Sequence, residues 1–91
     1  MAEKERTVKI RDDVVLRKED EGAFLFDPEN GRLCYLNAIG IDIFNMCRRP
    51  LTAKEITRLL CERYPEEAQE RIESDCTLFI SELDRLGFTV A

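Results

Sequence analysis

The chain has 91 residues, 44% of them apolar and 36% charged, with 14 Lys and Arg against 19 Asp and Glu for a formal net charge of −5. A length near 90 closes one hydrophobic core and leaves no room for a second domain or a deep enclosed substrate cavity. There is no histidine, which removes the commonest general base, the commonest metal ligand and every nucleophile–histidine arrangement, so the chain is expected not to be an enzyme and to hold neither cofactor nor metal.

The acidic balance argues against attraction to nucleic-acid phosphates or an anionic membrane, because both rest on clustered Lys and Arg. No apolar run approaches the roughly 18 to 20 residues that span a bilayer, and Met1 to Asp13 lack the apolar middle of a signal peptide, which predicts a cytoplasmic protein. Cys34, Cys47, Cys61 and Cys76 are dispersed, with no close pair of the zinc-knuckle or redox kind. They read as small hydrophobes of the core.

Along the chain, residues 1–13 are rich in charge and their Thr7 to Ile10 alternation is brief, so they are read as a flexible tail preceding a folded domain over residues 14–91. Val14 to Leu16, Ala23 to Phe26 and Arg32 to Leu36 carry the branched and aromatic residues of strands. Between the last two, Pro28 presets a turn and Asn30-Gly31 supplies positive φ at low cost. These segments predict a three-stranded antiparallel meander. In the last strand Leu33 and Tyr35 point to one side and Arg32, Cys34 and Leu36 to the other, so apolar groups occur on both faces and one face must meet something other than water. Such a sheet also has edges that offer unpaired backbone groups to an arriving peptide.

After Leu36 the apolar period lengthens to that of a helix. Asn37 can cap a helix bearing Ile39, Ile43, Phe44, Met46 and Cys47, which Arg48-Arg49-Pro50 ends. Thr52-Ala53-Lys54-Glu55 has capping-box spacing and opens a second helix running to about Tyr64. Beyond Pro65 a longer helix is expected from Glu67 to Leu86, with Ile72, Cys76, Phe79, Ile80, Leu83 and Leu86 inward and Gly87 as its C-terminal cap. At 100° per residue Leu78 falls beside Arg71, Asp75, Glu82 and Arg85, an apolar side chain on a charged flank. The fold class is therefore α+β, a winged helix-turn-helix-like arrangement of three strands followed by three helices.

A winged helix suggests DNA binding. From Glu67 to Leu86, however, six acids face two arginines, a local balance of −4 that repels phosphates. The paired acids Glu66-Glu67 and Glu19-Asp20-Glu21 read as solvated surface, and the four separate glycines form no phosphate-cradling loop.

The order of signals is nevertheless distinctive. The strand end Cys34-Tyr35-Leu36-Asn37, the helix segment Ile43-Phe44-Asn45-Met46-Cys47, Leu51-Thr52-Ala53-Lys54-Glu55-Ile56, and Phe79 to Phe88 with its Leu83-x-x-x-Gly87-Phe88 ending follow one another at fixed spacing. Over about Val14 to Val90 the chain resembles the coenzyme PQQ synthesis protein D (PqqD-like) family. It departs at Arg48-Arg49-Pro50, where members commonly have an acidic residue and glycine, a departure that bears on the pathway more than on the fold. The resemblance implies a peptide-binding chaperone, a recognition element for ribosomally made precursor peptides. Its leader peptide adds as a strand beside the last strand of the meander and rests against the third helix, for presentation to a modifying enzyme, typically a radical S-adenosylmethionine enzyme. On that basis backbone groups of Arg32, Leu33, Cys34, Tyr35 and Leu36 would pair with the leader. A groove lined by Leu33 or Cys34, Tyr35, Arg71, Asp75, Leu78 and Glu82 would accept alternate side chains. The competing reading is a homodimeric adaptor pairing through a sheet edge, followed by a winged-helix DNA-binding regulator.

Overall fold

A computed structural model describes residues 6–90. Strands β1 (Thr7–Val8), β2 (Val15–Lys18), β3 (Ala23–Phe26) and β4 (Leu33–Leu36) precede helix α1 (Ala38–Met46), and a short β5 (Leu51–Thr52) leads into α2 (Ala53–Arg63) and α3 (Gln69–Leu86). The expected α+β arrangement is present: a three-stranded antiparallel sheet in the order β2-β3-β4, followed by three helices. Among the described residues, no helix is long and apolar enough to cross a membrane.

Local chemistry fixes the helix ends. The Asn37 side chain accepts the Gly40 amide at 2.9 Å and starts α1. At α2 the Thr52 hydroxyl accepts the Glu55 amide at 3.1 Å while Glu55 accepts the Thr52 amide at 2.8 Å, the reciprocal box the sequence predicts. Helix α3 ends at Gly87, whose φ of +82° is strained for any other residue type. Phe88 donates back to the Leu83 carbonyl and packs fully buried beneath the last turn. The start of α3 lies two residues later than expected, because Glu67 donates to the Tyr64 carbonyl in a separate turn and Ala68, at the cap, has no side-chain acceptor.

The tail expected over residues 1–13 is corrected in its second half. Thr7 and Val8 pair antiparallel with Thr52 and Leu51, Ile10 bridges Thr89, and Val8 and Ile10 are buried. The brief alternation thus has a hydrophobic face after all, and its partners lie on β5 and the chain's last residues. Residues 1–5 lie outside the described residues.

The core joins the inward face of the sheet (Ala23, Leu25, Leu36) to Ile43 and Phe44 of α1 and its C-cap Cys47, Ile56 and Leu60 of α2, and Ile72, Cys76, Ile80 and Leu83 of α3. Its one buried polar side chain among the described residues is Asp27, in the β3–β4 turn. Asp27 accepts from Arg11 at 2.8 Å and from the Glu29 amide at 2.9 Å, and Arg11 also donates to the Gly87 carbonyl at 2.9 Å. One guanidinium therefore ties the turn that carries β4 to the end of α3.

Candidate peptide-binding edge

Strand β3 is central, which leaves β2 and β4 as edges. The Asp27 amide donates to the Arg32 carbonyl, and in an antiparallel ladder bonded pairs recur every second residue. Cys34 and Leu36 therefore turn their backbone groups to Leu25 and Ala23, while Leu33 and Tyr35 turn theirs away from the sheet. Of the five residues expected to pair with a peptide, Arg32 to Leu36, two thus have both backbone groups on the free side.

Side chains alternate the other way. Leu36 is fully buried, and Cys34 is half-buried beneath the sheet. Leu33 and Tyr35 stand 59% and 53% exposed on the opposite face. This resolves which side of the strand is open: the one bearing Leu33 and Tyr35, together with Val15, Phe24 and Phe26.

Helix α3 runs past β4 in the opposite direction. At one end Arg32 donates to the Leu86 carbonyl at 2.9 Å. In the middle Cys34 feels the charge of Glu82, and burial together with that carboxylate raises its thiol above the ordinary value. At the far end a recess of about 430 Å³ is lined by Asn37, Ile39, Gly40, Arg71, Asp75, Leu78 and Phe79. Of the expected groove residues, Arg71, Asp75 and Leu78 line this recess, while Cys34 and Glu82 lie near each other farther along the seam between β4 and α3, outside it. The side chains of Leu33 and Tyr35 lie on the other face of β4, so they border the edge and do not line the groove.

Leu78, flagged by helical phase, is 67% exposed. Its charged neighbours are paired locally: Arg71 with Glu67 at 3.9 Å and Asp75 at 4.0 Å, and Glu82 with Arg85 at 2.5 Å. The Arg85 guanidinium holds the Glu82 carboxyl below the usual range. Such exposed pairs contribute little to stability and are free to re-pair with an arriving ligand.

Other features are chemically quiet. Asp13, Asp27 and Glu29 gather their carboxylates within metal-binding range, but Arg11 sits among them at 2.7, 2.8 and 3.7 Å and supplies the countercharge itself. Burial pushes the Cys47 thiol up to about 12 and also raises Cys76, so both stay protonated and unreactive, as core residues should. A larger cleft of about 620 Å³ between α2 and α3, lined by polar residues such as Thr57, Arg58, Gln69 and Glu73, shares no residue with the groove.

Comparison with known proteins gives three findings. One solved structure, described as TbiB1 in complex with the TbiA(beta) leader peptide, superposes with a TM-score of 0.73 at 25% identity, over 89% of this chain and 93% of that one. No curated protein matches. The sequence matches the model of the coenzyme PQQ synthesis protein D family over residues 22–88, which takes in β3, β4 and all three helices. The chain belongs to the coenzyme PQQ synthesis protein D family.

Proposed function

We propose that this protein binds the leader segment of a ribosomally made precursor peptide by strand addition to β4 and presents it to a peptide-modifying enzyme, a radical S-adenosylmethionine enzyme, in the cytoplasm. The observation that carries the reading is the coincidence at β4 of outward backbone groups at Leu33 and Tyr35 with a groove against α3. An extended peptide paired with that edge would gain affinity from main-chain hydrogen bonds and specificity from side-chain recesses such as the one farther along α3. Family membership and the likeness to a leader-peptide complex support it.

Within this proposal the Leu33 and Tyr35 backbone does the pairing, while Cys34, Arg71, Asp75, Leu78 and Glu82 contact inward-pointing leader side chains. The domain itself serves as a binding module without chemistry of its own. Isothermal titration of the protein with the short peptide encoded beside its gene, with and without the leader segment, tests it. One-to-one binding that vanishes with the leader is the expected result. A protein that is folded yet binds nothing, with the partner enzyme also supplied, would move the weight to self-pairing through the β4 edge.

A further inference from the structure

Strand addition to β4 has a geometric consequence. Whether the added strand runs parallel or antiparallel, the peptide residues opposite Leu33 and Tyr35 project to the same face as those two side chains, and the residues between and beside them face the groove. That outer face is unusually apolar. It consists of two cross-strand rows, Val15-Phe26-Leu33 and Arg17-Phe24-Tyr35, and both end at the β4 edge. The inner face of the same sheet is already filled by Ala23, Leu25 and Leu36. A sheet with one face on the core ordinarily carries polar residues on the other, and here five of the six row positions are apolar or aromatic and at least 37% exposed.

We propose that the leader is read on both of its faces: besides the side chains facing the groove, it carries two apolar side chains, two residues apart, that extend these rows across Leu33 and Tyr35. The inference rests on the strand-addition reading. The peptide is favoured as occupant because the two most exposed apolar or aromatic members of the rows are the same residues whose backbone groups point outward. Tyr35 is also held ready. Its hydroxyl donates to the Glu21 carbonyl at 3.2 Å, and its ring meets Phe24 edge-on with centroids 5.7 Å apart, so little side-chain freedom is lost when a ligand packs on it. Covering about 55 Å² of apolar surface at either position corresponds to about a tenfold gain in affinity.

The test is a selection of displayed random short peptides on the full chain, repeated on Leu33→Ser and Tyr35→Ser. Both substitutions lie at exposed sites that leave the core intact. Binders are then resynthesised with a backbone N-methyl group at each position in turn. The expected result is N-methyl-sensitive binders enriched in an apolar-x-apolar triplet, about tenfold weaker on each serine variant and with the preference at one position lost. N-methyl-sensitive binders without the triplet, or with affinity unchanged on both variants, would overturn the inference while strand addition stands. If no binder is N-methyl-sensitive, strand addition itself fails and the inference with it. Concentration-dependent mass that Leu33→Ser abolishes, alongside an unpatterned selection, would assign the face to a second copy and likewise overturn it.

Discussion

Gly22 joins β2 to β3 with φ at +85°, and a β-carbon there would stand 2.6 Å from the Tyr35 hydroxyl oxygen and closer still to the Leu36 carbonyl oxygen. Gly31, in the next turn, has φ at +77° and nothing within 4 Å of the same position. The pair separates backbone cost from steric cost. For Gly31→Ala only the left-handed conformation matters, about 1–2 kcal/mol less the fraction recovered from a stiffer unfolded chain, for a net loss of about 1 kcal/mol. Gly22→Ala carries the same cost and two more. The Leu36 carbonyl must retreat from its bonded pairing with Ala23, at about 1 kcal/mol. Tyr35 must also leave the edge of Phe24, at about 0.5–1.5 kcal/mol. The total is about 3 kcal/mol. At about 4–8 °C per kcal/mol for a domain of this size, Gly31→Ala should lower Tm by about 5 °C and Gly22→Ala by about 15 °C. Thermal denaturation followed by circular dichroism measures both. Equal destabilisation of the two variants would refute the steric reasoning and with it the placement of Tyr35 over Gly22.

Leu78→Arg should leave the urea midpoint within experimental error, as expected for a side chain 67% exposed, yet weaken leader binding about tenfold by titration; unchanged affinity would remove Leu78 from the site. Leu83→Arg should unfold the domain and abolish its cooperative melt, since an unpaired charge at a fully buried position costs several kcal/mol against a total stability of about 5–15 kcal/mol. The pH dependence follows from carboxyls that are held low when folded. Burial works to raise Asp27, but its bonds from Arg11 and the Glu29 amide outweigh it, and the backbone and hydroxyl of Thr52 lower Glu55. Because the folded values lie below the unfolded ones, the unfolded state binds more protons in the interval between them. Stability is then full above the ordinary carboxyl range near pH 4 and is lost as pH falls through the folded values. Urea midpoints between pH 7 and pH 3 should fall in that order for the native chain, and Asp27→Asn should lie lower at pH 7 with a shallower acid decline.

The sequence is most legible where a residue's partner is its near neighbour. Asn37, the Thr52–Glu55 box and Gly87 each bond within three or four positions, so their helix ends can be read from spacing alone. Thr7 and Val8 could not be read as a strand, because two residues carry almost no periodic signal and their partners, Leu51 and Thr52, lie far along the chain. Helical phase sufficed to single out Leu78, and the groove around it followed from the family resemblance. The open side of β4 stayed ambiguous because both parities of the strand are apolar; only the packing of the helices beneath Leu36 decides it. The same ambiguity concealed Phe24 and Phe26. Large aromatics read as core, yet the smaller Ala23 and the aliphatic Leu25 are the ones turned inward, and the only signal was the alternation itself.

The free edge of β4 is short. Two residues present four backbone groups, and at about 0.5–1.5 kcal/mol net for each hydrogen bond they supply about 2–6 kcal/mol, while forming any complex costs about 4–15 kcal/mol in lost freedom. Main-chain pairing at this edge therefore at most about offsets that cost, and residence time is governed by the few side chains that flank it. Weak retention shows up as a fast off-rate. Under the proposed function, so brief a strand favours ready release, which would suit a domain that hands one peptide after another to a modifying enzyme.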